Sequence, residues 1–546
     1  MRFWNKTLLI AGLLLFGLSQ IAVGETVLDL TKSLTIKSYS KKIEIVQKIA
    51  QTGDPKAVII LQSLLDGSLF LSKKEGVPVL AAKIGKEYIL SDPFTGAELG
   101  KVNKRALKKI RINNKVRGVL KTSIARLNLS HPNPQHRIDA AKSLFKNLDK
   151  ALLAPLLELL EAETDSTAKE AFETTAAALI LLHGDALEAR VKAAQYLQVA
   201  GSPDVRALLS SVNRELLAKA PSDVSDQKLQ MAVQSALASV ERRLENYGMI
   251  ESLFQGISLS SILLLAAIGL AITFGVMGVI NMAHGEMVMI GAYTTYVIQE
   301  ICRTSFPGFF DYSLFLAIPA AFLVSGFCGI IIERSVIRFL YGRPLETLLA
   351  TWGISLLLQQ LVRTVFGATN KEVGSPEWLS GAWEVTAGLS FTYNRIAIIF
   401  FALFVLAGLM LVLKKTQFGL QMRAVTQNRQ MARSMGIESS RVDAMTFGLG
   451  SGVAGMAGVA LSQVDNVSPN LGQAYIIDSF MVVVFGGVGN LWGTLVGATS
   501  LGVANKFLEP YSGAVLAKIM VLVAIILFIQ KRPRGLFALK GRSVEG

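Results

Sequence analysis

The stretch Val276-Met277-Gly278-Val279-Ile280-Asn281-Met282-Ala283-His284-Gly285-Glu286 decides the fold class of this chain. It lies inside a long apolar run. Asn281, His284 and Glu286 are costly there unless they meet partners or a water-lined cavity. Gly275, Gly278 and Gly285 permit close backbone approach or a broken helix at the same place. A polar centre in an apolar run reads as the lining of a passage through a membrane.

Working outward, composition divides the chain. Hydrophobic residues make up 51% and charged ones 17%, too apolar for one soluble globule and too charged for spans alone. Up to about 248 the residues are mixed and charge-rich; from about 250 apolar runs alternate with short charged interruptions. The net charge of +15 fits a membrane surface, since many cations of the second half cluster at span ends. No basic patch interleaved with aromatics suggests nucleic acid. Cys302 sits in a short loop and Cys328 in an apolar run, so no disulfide is expected, and metal spacing is absent.

Residues 1–24 carry a secretory pattern: Arg2 and Lys6, an apolar core from Thr7 to Leu18, then Ala22-Val23-Gly24 where a signal peptidase cuts. An uncleaved anchor is the alternative, and both export the next domain, residues 25–248. That domain reads as helical. Ile138 to Leu144 with Leu152 to Leu160, and Arg190 to Leu197 with Gly201 to Leu209, form helical pairs that resemble HEAT-type repeats. An earlier pair spans about Ile43 to Leu65, with Gly53-Asp54-Pro55 as its turn. Residues 72–100 are irregular and read as a small hairpin or an inserted loop. His131, His136 and His183 are scattered among ordinary helix positions. Docking of a partner and a passive spacer both remain open for this domain.

The second part, residues 249–546, holds apolar segments near 254–279, 286–301, 313–336, 346–366, 394–413, 443–464, 474–489, 491–508 and 512–530. Basic loops around Arg334 to Arg343, Lys414 to Arg441 and Lys531 to Arg542 alternate with loops poor in cations. The positive-inside rule makes the basic set cytoplasmic. Nine crossings with a cytoplasmic tail require an external start, which the secretory pattern demands independently. The expected fold class is therefore all-α: about eight to nine spans preceded by an exported, HEAT-like helical domain. In the longest basic loop, Gly419 to Ile437 reads as one helix ended by Gly436, either a contact for a force-giving partner or a solvated interfacial helix. Ser451 to Gly458 places small residues for close helix packing. Phe485 to Gly493 is glycine-rich but lacks the Lys-Ser/Thr of a phosphate loop, so an ATPase would be a separate polypeptide.

Together, Thr273 to Glu286, Leu349 to Ser355, Gly419 to Ile437, Val484 to Gly489 and Arg532 to Phe537 resemble the branched-chain amino-acid permeases of ABC importers. Gly342 to Gly353, Phe366 to Val373 and Asp465 to Gly472 look like the first permease of the urea-importer branch, which an exported extension also suits. The resemblance implies a bacterial inner-membrane permease working with a second permease, two ATPases that use ATP, and a periplasmic substrate-binding protein. This chain itself would bind no cofactor. A passage for urea needs a few amide, hydroxyl or carboxylate groups in an apolar wall. Candidates are Asn281, His284, Glu286, Thr351, Gln359 and Gln360, each of which also reads as a satisfied interhelical hydrogen bond. Arg423, Gln427, Asn428 and Arg429 are the candidates for the ATPase contact. Branched-chain amino acids or short amides are the rival cargo, a facilitative channel or a membrane-anchored adaptor the rival functions. No nucleophile–base pair or metal cluster suggests an enzyme.

Overall fold

The computed structural model describes residues 27–537, apart from 37, 53, 74–75, 85–86 and 219–223. The secretory segment, Gly53, Lys540 and Arg542 lie outside the described residues. The chain forms two compact units, Met1–Arg242 and Arg243–Gly546.

In the first unit, α1 (Val27–Ser33), α2 (Tyr39–Gln51) and α3 (Pro55–Asp66) bury Val46, Ile49, Ile60, Leu61 and Leu64. The start of α3 follows from its sequence. Asp54 accepts the Lys56 N–H at 2.8 Å, and Pro55 takes the first turn, where its missing N–H costs nothing. Five strands follow: β1 (Leu69–Ser72), β2 (Pro78–Ile84), β3 (Glu87–Ser91), β4 (Glu98–Asn103) and β5 (Leu107–Lys109). They pair antiparallel in the order β4-β3-β2-β1-β5, which corrects the all-α expectation. Phe70, Val79, Ala81, Leu90 and Leu107 form a core of their own on one face. Asp92 makes the turn between β3 and β4 by accepting the Phe94 N–H at 2.7 Å. β4 and β5 are opposite edges, yet three residues join them. Four residue steps reach at most ~14 Å, whereas four strand spacings measure ~19 Å. The sheet therefore curls until its edges approach.

Helices then resume with α4 (Asn114–Asn128), α5 (Pro134–Leu144), α6 (Leu153–Ala162), α7 (Ser166–His183), α8 (Leu187–Ala200) and α9 (Pro203–Ala218). The two helical pairs read from the sequence are α5–α6 and α8–α9. The intervening α7 packs against both α5 and α8. Arg137 fastens the end of α6, donating from Nε and Nη2 to the two Glu163 oxygens at 2.7 Å each. α10 (Val224–Met277) begins in this unit and continues into the second.

The second unit continues with α11 (His284–Ser305), α12 (Ser313–Ser335), α13 (Pro344–Phe366), α14 (Tyr393–Lys415), α15 (Gln417–Gln427), α16 (Arg429–Ser434), α17 (Ser439–Ser462), α18 (Leu471–Gly486), α19 (Leu491–Ser512) and α20 (Ala514–Lys531). A two-stranded hairpin, β6 (Ala382–Thr386) and β7 (Leu389–Thr392), precedes α14. All nine apolar segments are helical. Among the described residues six helices, α10, α12, α13, α14, α17 and α20, are long and apolar enough to cross a membrane. α18 is too short and α11 and α19 too polar for that standard, so six of the nine segments meet it. The buried axis of the unit is α17, packed by α11 and α12. Small residues make this possible: a Cβ on Gly291 would meet the Gly455 carbonyl oxygen at 2.0 Å.

Candidate functional site

The chain leaves α10 at Met277 and turns through Gly278, whose φ of +69° suits glycine. Residues 278–283 break the helix inside the bundle. The buried Asn281 stiffens this break, its Oδ1 accepting the Ala283 N–H at 3.0 Å. The Met282 N–H, freed from helical pairing, donates to Thr351 Oγ1 of α13 at 3.1 Å. His284 Nε2 lies 2.9 Å from the Ala266 carbonyl and ties the start of α11 back to α10.

Glu286, one turn into α11, is 1% exposed. Its Oε1 accepts from Ser355 Oγ at 2.9 Å and from Gln359 Nε2 at 2.8 Å. These partners lie on a buried stripe of α13 formed by Thr347, Thr351, Ser355 and Gln359 at four-residue steps. The opposite faces of α13 expose Leu349, Trp352, Leu357 and Leu361. Gln360 is on that exposed side, so the structure removes it from the cluster. Ser355, unremarked in the sequence, is the member added. Its signal was the four-residue recurrence of hydroxyl and amide side chains. At 1.5 Å per residue, Ser355 and Gln359 sit about 17 and 23 Å along a helix of about 35 Å, near the middle of the span.

Among the described residues four polar atoms here are buried without a partner: Asn281 Nδ2, His284 Nδ1, Glu286 Oε2 and Tyr293 Oη. Glu286 and Tyr293 are seven residues apart on one face of α11. At the far end of α13, Tyr293 packs 4.7 Å from the Phe366 ring, and Arg363 Nη2 donates to Asn470 Oδ1 at 2.6 Å. Lys371 and Val467 exchange backbone hydrogen bonds of 2.8 and 3.0 Å, joining two of the stretches singled out in the sequence. The result is a column with donors and acceptors for a small polar solute.

The other polar region lies at the basic end. The expected single helix from Gly419 to Ile437 is two, α15 and α16, parted at Asn428 (φ −153°, ψ 104°). Asn428 Oδ1 caps α16 by accepting the Met431 N–H at 2.9 Å, which explains the break. Arg429 is not free on the surface. Its guanidinium donates to both oxygens of the buried Asp443, at 2.5 and 3.1 Å, and stands 5.0 Å from the Tyr341 ring. Tyr341 Oη donates to Glu333 of α12 at 2.8 Å. Burial, with Asp443 and Glu333 nearby, pushes the Tyr341 phenol well up, so it stays a donor. Arg423 donates to the Leu413 carbonyl and, with Gln427, lines a cleft of about 890 Å³. That cleft reaches Gly275 and Val276, in the last turn of α10 before the break. A smaller cavity of about 160 Å³ beside Phe315 and Trp378 is apolar and holds none of the candidate residues. Cys302 and Cys328 are free thiols.

A broken apolar helix, a buried polar column and a cleft at one end fit a multi-pass membrane transport subunit. The model of the family described as branched-chain amino acid transport system / permease component matches residues 252–530, and the chain belongs to that family. It is 30% identical over 298 residues to the high-affinity branched-chain amino acid transport system permease protein BraD of Pseudomonas aeruginosa, covering 54% of this chain and 96% of that protein. Permease protein LivH of Salmonella typhimurium, of the same description, is 30% identical over 295 residues, 53% of this chain and 94% of its own length. The probable branched-chain amino acid transport permease protein LivH of Methanocaldococcus jannaschii is 27% identical over 300 residues, 52% and 91%. No solved structure matches.

Proposed function

We propose that this chain is one permease of an ATP-driven importer of the ABC class and that its cargo is urea. The observation that carries the cargo is the column. It offers a carboxylate oxygen, an amide, an imidazole nitrogen and a phenol without partners, and among the described residues Arg363, the cation nearest along α13, is held by Asn470. Urea is neutral and planar and needs acceptors for its N–H groups and a donor for its oxygen. A zwitterionic amino acid also needs a cation for its carboxylate. The resemblance of Gly342 to Gly353, Phe366 to Val373 and Asp465 to Gly472 to the urea branch supports the same reading. The named relatives favour a second reading, in which branched-chain amino acids are the cargo.

In this proposal a second permease completes the passage, two ATPases supply the energy and a binding protein delivers substrate. The chain needs no cofactor of its own. Arg423, Gln427 and Asn428 face the ATPase from the cleft end, while Arg429 holds the loop to the bundle. All nine apolar segments cross or dip into the membrane, with the basic loops cytoplasmic and the first unit, HEAT-like in its later helices, exported. The test is uptake of labelled urea and labelled leucine at micromolar concentration in cells with and without this chain, and with the partner ATPases deleted. Energy-dependent loss of urea uptake alone supports the reading. Loss of leucine uptake instead moves the cargo to the second reading. Urea entry that survives ATPase deletion turns the chain into a channel and overturns the importer.

A further inference from the structure

The first unit carries a charge segregation that the transport reading does not use. Between Glu98 and Asp139 there is no Asp or Glu, whereas Lys101 to Arg126 holds ten Lys and Arg. Elsewhere in residues 25–248 acids outnumber these cations, 25 to 23, so the positive excess of this unit lies wholly in this stretch. It folds into one neighbourhood. Lys101 lies on β4, Lys108 and Lys109 lie on β5, and Arg111 leads into α4 with Lys115 and Arg117. The curl of the sheet brings the β4 and β5 edges together at the three-residue link, so these cations share a seam rather than opposite rims. Each of these six is exposed, and none enters an ion pair among the described residues. The local field reaches inward. Lys42, buried and donating to the Arg111 carbonyl at 2.6 Å, is held below the ordinary lysine range, by burial first and then by Lys108.

An ordinary solvated face mixes charge signs evenly; from Lys101 to Arg126 the chain carries cations alone, and the acids beside them in the sheet are Glu98, which begins β4, and Glu87, opposite Asn103. The chemistry of this face also separates the possible partners. Stable protein interfaces are anchored by clusters of exposed aromatic or large apolar side chains; residues 101–126 expose none, and Leu99 on β4 is a single exposed leucine beside them. A surface of anionic headgroups needs no anchors, because it attracts clustered Lys and Arg through its potential. The chain supplies proximity as well, since the polypeptide of this unit continues directly into membrane-crossing helices.

We propose that the β4–β5 seam and the start of α4 form a docking surface for anionic phospholipid headgroups. The contact is electrostatic and screened by salt, because the Debye length falls from about 10 Å at 0.1 M to about 3 Å at 1 M. The test is hydrogen exchange of residues 98–126 in the full chain, reconstituted into discs of phosphatidylcholine alone or mixed with phosphatidylglycerol. Exchange slows about threefold or more in the anionic discs at 50 mM salt and returns to the neutral-disc rate at 1 M. A variant with Lys108→Gln, Lys109→Gln, Arg111→Gln and Lys115→Gln loses the lipid effect, while a variant with Arg206→Gln and Lys228→Gln keeps it. Circular dichroism matching the parent shows that both fold. Exchange that ignores lipid charge overturns the proposal. So does protection produced by added polyglutamate but not by anionic lipid, which assigns the seam to an acidic protein. None of these readouts depends on the transported cargo.

Discussion

Glu286 concentrates the chemistry of the column. One oxygen is shared by Ser355 and Gln359 and the other has no partner. Glu286→Gln keeps the shape but replaces an acceptor oxygen by a donor. A hydrogen bond involving a charged group contributes ~1.5–3 kcal/mol, so labelled urea uptake falls about 10-fold or more with the subunit still inserted. Gln360→Ala leaves uptake within about twofold, because Gln360 lies on the exposed side of α13; equal losses in both variants would remove the column from the path. Outside the membrane, Arg137 beside Glu163 holds that carboxyl below its ordinary 4.5. A depressed carboxylate stabilises the fold above the ordinary value, and the contribution is lost as pH falls through the lowered one. The melting temperature of the full chain therefore drops between pH 5 and pH 3, and Glu163→Gln flattens that part of the profile. Asn281, His284 and Glu286 were legible because their polarity is costly in an apolar run. Ser355 was not, since a serine in a span usually satisfies its own helix.

Among the elements, the loop helices are where the sequence reading and the structure differ most. Gly436 does end the segment, with φ of +85°, but the side chain of Asn428 also caps a new helix and divides it. The division turns Arg429 inward onto Asp443 and Tyr341, joining α16 to α17 and, through Tyr341, to Glu333 at the end of α12. Arg429→Ala leaves Asp443 buried and unpaired. The cost is about 2 kcal/mol, below the ~3–5 of a fully buried pair because the guanidinium is partly exposed. Thermal unfolding of the purified subunit measures it, and an unchanged midpoint would show that the pair adds nothing. Close crossing of α12 and α17 makes a second prediction. Gly455→Val places branches against the Ala321 carbonyl and Ser325, with the nearest contact already at 2.5 Å for a Cβ, so the folded subunit is not recovered from membranes.

At the scale of the molecule, the alternation of basic and cation-poor loops predicts an orientation that fusions can check. Alkaline phosphatase fused after Ala200 is active, and a green fluorescent protein fused after Phe537 glows in the cytoplasm. The reverse pattern would invert the topology and with it the side on which the ATPases dock.

Local patterns alone encode the helical nature of the nine apolar segments and the polar break before α11. Apolarity over spanning length and the cost of burying Asn281 and Glu286 act locally, so they can be read without coordinates. Only the tertiary structure decided that Leu69 to Lys109 forms a curled sheet, that Gln360 faces away while Ser355 faces Glu286, and that Arg429 turns inward. Strand pairing and helix rotation are set by partners distant in sequence, such as Phe70 with Lys109 and Glu286 with Gln359, and no local pattern encodes which partner a side chain meets.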